Sequence, residues 1–137
     1  MIQTILIVDD EAMSRNLVRL MLENEKFQFF EASDGAEALE VAERERPDLI
    51  LLDMLLPRMG GLALCEQLQA RKETADIPVI VLSAAAQHNM VEQSKNMGVS
   101  WYLTKPVTRS ALVQAVHDVL REQQLSSARI STDSLVS

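Results

Sequence analysis

Cysteine, glycine, proline and aromatic residues are all scarce in this 137-residue chain. One cysteine, Cys65, cannot close an internal disulfide or build a cysteine-based zinc site. Four glycines and four prolines all lie between periodic segments, where loops belong, so none breaks a helix or strand pattern from within. Positive charge is also short. Thirteen basic residues against 20 acidic ones give a net charge of −7, which repels phosphate backbones and anionic lipid, so direct nucleic-acid or membrane binding is not expected. The uninterrupted apolar runs are only a few residues long, far below the roughly 20 that span a bilayer. No basic segment precedes an apolar run at the N-terminus, so nothing there reads as a secretion signal and a cytoplasmic location is expected.

What is present is ordinary globular material, 47% hydrophobic and 24% charged. The breakers fall between periodic segments. Apolar runs at Ile5 to Val8, Leu49 to Leu52 and Val79 to Leu82 lack polar alternation, as suits strands covered on both faces. Between them lie segments with apolar residues at three-and-four spacing. Residues 11–25 carry Leu17, Val18, Met21 and Leu22 on one side; 35–46 carry Ala38, Leu39 and Ala42; 61–72 carry Leu64, Cys65 and Leu68. Residues 87–97 carry Met90, Val91 and Met97, and 109–121 carry Leu112, Val113, Val116, Val119 and Leu120. The reading is strand then helix, five times, with strands near 3–9, 27–32, 48–53, 77–83 and 100–104. Such alternation predicts an α/β fold with a parallel sheet, right-handed crossovers and helices on both faces. Beyond about residue 122, scattered serines without periodicity predict a flexible tail or the start of a linker over 123–137, leaving 1–122 as the folded domain.

Ligands of open parallel sheets bind beyond the carboxyl ends of the strands. The residues that close the strands here are Asp9, Asp10 and Glu11, then Asp53, then Ser83, then Lys105-Pro106. Carboxylates gathered on one rim repel one another unless a cation joins them. A hard divalent ion such as magnesium takes oxygen ligands of this kind. Lys105 is a compact positive charge suited to a phosphoryl oxygen, and a carboxylate can itself act as nucleophile to form an aspartyl phosphate. Asp53, after the run Leu49 to Leu52, is the best-placed nucleophile. An isolated Asp after a strand is most often a turn or cap residue, and Asp9-Asp10 alone could open a helix; the ordered set of four strand ends is what points to chemistry. Cys65 reads as core packing, and His88 and His117 fall in no ligand-spaced motif.

The ordered stretches Ile5 to Glu11, Asp48 to Asp53 with Pro57 and Gly61, Pro78 to Ala84, and Gly98 with Tyr102 to Pro106 resemble the receiver domain of two-component response regulators. The similarity spans about residues 3–121. It implies a flavodoxin-like (βα)5 fold with strand order 2-1-3-4-5. It further implies that Asp53 accepts a phosphoryl group from a histidine kinase or phosphotransfer protein. Asp10, Asp53 and the Leu55 carbonyl would ligate magnesium, with Asp9 acting through water. Ser83 and Lys105 would hold phosphoryl oxygens, Ser83 and Tyr102 would form the switch, and Lys105-Pro106 would be cis. Such a domain is not a metabolic enzyme. It controls a downstream output protein or domain, through the face formed by the expected fourth helix, fifth strand and fifth helix, and some members dimerise on phosphorylation. Departures from the pattern are Leu55 and Ala85, apolar where polar groups are common, Leu56 before Pro57, and Trp101 before the switch aromatic. Two rival readings fare worse. A flavin domain of the same architecture would want a phosphate-cradling loop where Asp9-Asp10-Glu11 stands, and an aspartate-nucleophile phosphohydrolase would want an acid where Leu55 stands. A bare interaction module leaves the acidic rim facing Lys105 unexplained.

Overall fold

Three consecutive apolar runs become the three central strands of one sheet. The computed structural model describes residues 2–56, 58–84 and 99–136, with the side chains of 126–136 outside that description. The strands are β1 (Thr4–Val8), β2 (Gln28–Ala32), β3 (Leu49–Asp53), β4 (Val79–Ser83) and β5 (Val99–Thr104). All neighbours pair in parallel, in the order β2-β1-β3-β4-β5. The helices are α1 (Ala12–Leu22), extended by a 3-10 turn over Glu23–Glu25, then α2 (Gly35–Glu45), α3 (Gly60–Ala70) and a C-terminal helix over Arg109–Val136. The helix expected over 87–97 lies outside the described residues, as do Pro57, Ala85, His88 and Gly98.

Strand alternation divides the core in two. Leu6, Val8, Ile50, Leu52, Val79 and Val81 face one side and pack with Ala38, Leu39 and Ala42 of α2 and Leu64, Cys65 and Leu68 of α3. Ile5, Ile7, Leu49, Leu51, Ile80 and Leu82 face the other and pack with Leu22 and with Leu112, Val116, Val119 and Leu120 of the C-terminal helix. Both faces are dry, so the runs need no polar alternation. Each fully buried Leu or Ile contributes roughly 1.5–3 kcal/mol relative to exposure, and β1, β3 and β4 hold most of them.

One helical expectation is revised. Leu17 does not join the core: α1 seats on the sheet through Val18, Met21 and Leu22, while Met13, Leu17 and Leu20 stay largely exposed. Residue 17 precedes Val18 by about 100° of helix rotation, enough to turn it off the contact line. The C-terminal helix continues past residue 122, as far as Val136. Neither glycine nor proline occurs after Pro106, so nothing in the backbone stops it. Elsewhere the ends follow local chemistry. Asp34 Oδ1 accepts from the Glu37 N–H at 2.8 Å to open α2, and Thr108 Oγ1 accepts from the Ala111 N–H at 3.2 Å to open the C-terminal helix. Among the described residues no helix is long and apolar enough to cross a membrane.

Candidate functional site

Sheet register assembles the rim. Val8 pairs with Leu52, so Asp9 and Asp53 leave adjacent strands at the same level. Asp53 pairs with Leu82 and Ser83 pairs with Thr104, which brings Ser83 and then Lys105 to the same edge. The chain moves from β1 to β2 on one side and later from β1's other side to β3, so Asp9 and Asp53 flank the point where strand order reverses. Crevices at such points are where open α/β sheets bind ligands.

Carboxylate oxygens of Asp9, Asp10 and Asp53 lie within 4.8 Å of one another. Lys105 Nζ stands 3.4 Å from Asp53 Oδ1. Four polar side chains are buried among the described residues, and three of them, Asp9, Asp53 and Ser83, belong to this rim. The fourth, Thr74, donates its hydroxyl to the Leu68 carbonyl at 2.7 Å and is accounted for by the end of α3. Buried polarity is therefore concentrated where the strands end. Asp10 is exposed and forms the open side of the cluster.

Backbone groups shape the two loops. The Glu11 N–H donates to Asp9 Oδ1 at 2.9 Å, and the Leu55 N–H donates to Asp53 Oδ1 at 3.3 Å. The Lys105 N–H donates to the Ser83 carbonyl at 2.7 Å, tying the β5 exit to the β4 end, and the Lys105-Pro106 bond is cis. After Asp53 the chain folds back so that the Gly61 N–H reaches the Met54 carbonyl at 3.1 Å. A Cβ on Gly61 would lie 2.7 Å from that same carbonyl oxygen, so only glycine allows the approach.

Electrostatically the rim is under strain. Burial raises the Asp9 pKa above its ordinary value, the Glu11 N–H opposes that, and the neighbouring Asp53 charge adds to the rise. A hard oxygen-seeking cation fits this donor set, whereas softer metals would want nitrogen or sulfur. Cys65 offers no thiolate chemistry: burial pushes its thiol up to about 11.

Of the residues singled out from sequence, Asp9, Asp10, Asp53 and Lys105 form one cluster, with Ser83 closing the adjacent strand and Leu55 next along the loop. Leu55 is an exposed side chain beside the carboxylate. Tyr102 lies apart from the cluster on β5, partly buried against the α2–α3 side of the core, and its ring lies 6.4 Å from that of the exposed Trp101. One residue escaped the sequence reading. Arg15, on α1, donates from Nη1 to the Asp9 carbonyl at 2.7 Å and from Nε to Glu31 at 3.0 Å. Helical periodicity marks Arg15 only as a polar position, and nothing in local spacing shows that it spans from α1 to β2.

Known proteins share both sequence and fold. The family model for the response regulator receiver domain matches residues 5–117. The phosphate regulon transcriptional regulatory protein PhoB of Pseudomonas aeruginosa is 39% identical over 119 residues, covering 87% of this chain and 52% of its own. Sporulation initiation phosphotransferase F of Bacillus subtilis is 35% identical over 118 residues, covering 86% of this chain and 94% of its own. A CheY-like receiver domain protein from Methanospirillum hungatei superposes with TM-score 0.85 at 29% identity, covering 92% of this chain and 99% of that one. The chain spans about half the length of several curated relatives, PhoB among them. Strand order, the acidic rim and these relatives converge: the chain belongs to the response regulator receiver domain family of two-component signalling.

Proposed function

We propose that this receiver accepts a phosphoryl group on Asp53 and passes the change to an output protein or domain. The observation that carries the reading is the triad of Asp9, Asp10 and Asp53 facing the Lys105 ammonium. An Asp53 carboxylate oxygen forms the new bond to phosphorus as the P–N bond of a donor phosphohistidine breaks, and the donor ring, already protonated on its other nitrogen, keeps the bonding pair and leaves as neutral imidazole. The donor is a histidine kinase or phosphotransfer protein. Asp9, Asp10, Asp53 and the Leu55 carbonyl are the groups that would hold magnesium. Bound magnesium supplies the divalent charge that offsets carboxylate repulsion and the phosphoryl oxygens. Lys105 exchanges its contact with Asp53 for a phosphoryl oxygen, and the Ser83 hydroxyl donates to another. Ser83 and Tyr102 then act as the switch, altering the face around β5 that partners read, including a second phosphorylated copy. Positioning and charge neutralisation are most of what phosphoryl transfer asks of a protein. The domain works in the cytoplasm over residues 1–122, turns over no metabolite, and binds no nucleic acid or membrane itself.

The test is incubation with acetyl phosphate followed by intact-mass spectrometry. One added phosphoryl group is expected, dependent on magnesium and absent from Asp53→Ala. Full labelling of Asp53→Ala would overturn the assignment.

A further inference from the structure

Asp9 sits one residue past the last β1 pair, where its carbonyl has run out of strand partners. The Asp9 N–H still finds the Ala32 carbonyl on β2 at 3.1 Å, and its side chain accepts from the Glu11 N–H. Its carbonyl is met by Arg15 Nη1 at 2.7 Å. Arg15 is itself fixed, because Nε pairs with Glu31 Oε1 at 3.0 Å while Arg19 Nη1 takes Glu31 Oε2 at 2.8 Å. Arg19 is braced in turn over the Phe29 ring, 5.8 Å from its centroid. Arg15 is well covered and Arg19 is half exposed, so Arg15 is the inner member of the network.

The geometry points to Arg15, held by Glu31, as a positioning residue for the metal: it sets the peptide that joins Asp9 to Asp10 and thereby aims both carboxylates. The inference rests on the reading of the rim as a magnesium site and names a residue outside its carboxylates. A charged, doubly bonded guanidinium fixes a peptide more firmly than water would. Partners that orient ligands without touching the metal commonly govern affinity as much as the ligands do.

The sign of the effect separates positioning from charge. Arg15 carries positive charge close to a cation site. By Coulomb's law alone, removing it tightens magnesium binding. If it positions the turn, removing it weakens binding. Magnesium affinity of the full chain is read by NMR titration of the Asp10 and Glu11 amides, with circular dichroism as a check on folding. Arg15→Met is expected to bind magnesium about tenfold more weakly than wild type, in the range typical of lost ligand-orienting contacts. Arg15→Lys keeps the charge and one donor and is expected to recover part of the loss. Arg44→Met, which removes a surface arginine paired with Glu40 and Glu45 on α2, is expected to match wild type within about twofold. The Asp10 and Glu11 amides of Arg15→Met should also exchange faster with solvent while those of Leu51 and Leu52 do not change. An Arg15→Met protein that is folded and binds magnesium as tightly as wild type, or more tightly, overturns the proposal. Should Arg15→Met not fold, Arg15→Lys decides it: wild-type affinity there overturns the proposal, and an intermediate value supports it. Failure of wild type itself to bind magnesium would instead overturn the reading of the rim.

Discussion

Asp9 shows how one side chain can oppose the fold it belongs to. Its pKa is raised, chiefly by burial, so the folded state holds the proton more tightly than the unfolded chain does. Stability of the metal-free protein therefore falls as pH climbs through the range above the ordinary value of 3.8 and stays lowered at neutral pH. Asp9→Asn removes the ionisation and keeps an oxygen to accept the Glu11 N–H. Thermal melts without metal should place Asp9→Asn above wild type at neutral pH, with the gap shrinking towards pH 4, and magnesium should stabilise the variant less than wild type. Leu55 makes a second prediction. It is exposed beside the Asp53 carboxylate and offers no side-chain group to orient an attacking water. Leu55→Asn should shorten the aspartyl-phosphate lifetime several-fold, followed by the decay of the phosphorylated mass, because orientation contributes heavily to rate. An unchanged or slower decay would show that this position does not set the lifetime. The rim itself was legible from sequence because Asp9, Asp53 and Ser83 each end a continuous apolar run, and Lys105 follows the fifth strand. Arg15 was not, because its contacts join a helix to the end of β1 and to β2, and no local period encodes them.

Strands and helices differ in how far their limits could be read. Strand limits came close because β1, β3 and β4 are covered on both sides, and Pro47 and Pro78 stand just before β3 and β4. Helix limits depend on caps. α2 ends on Arg46, held left-handed at φ 45, a conformation that favours glycine. The chain accepts the strain there, immediately before Pro47. Arg46→Gly should relieve the clash of Cβ with the backbone and stabilise the domain by about 1 kcal/mol, less than the bare left-handed cost because glycine also loosens the unfolded chain. Denaturant melts would show a higher midpoint at unchanged slope, and a lower midpoint would contradict this reading of the cap. Past residue 122 the C-terminal helix meets no glycine or proline before Val136, and serine is only mildly unfavourable in a helix.

Across the whole molecule, one sheet connects the acidic rim to the β5 edge. Asp53 pairs with Leu82, Ser83 with Thr104, and the Lys105 N–H with the Ser83 carbonyl, so the rim and the Trp101-Tyr102 pair share neighbouring strands. A phosphoryl group shifts such a system only by binding one arrangement better than the other. Ser83 and Lys105 are the groups that would make that difference, since Ser83 closes the strand next to Asp53 and Lys105 Nζ stands 3.4 Å from the Asp53 carboxylate. Two-dimensional NMR of the whole chain, before and after phosphorylation with magnesium present, tests the link in one experiment. The account predicts shifts at Asp10, Asp53, Ser83 and Lys105 together with shifts at Trp101, Tyr102 and the first turns of the C-terminal helix. Shifts confined to the rim, with Trp101 and Tyr102 unmoved, would contradict it.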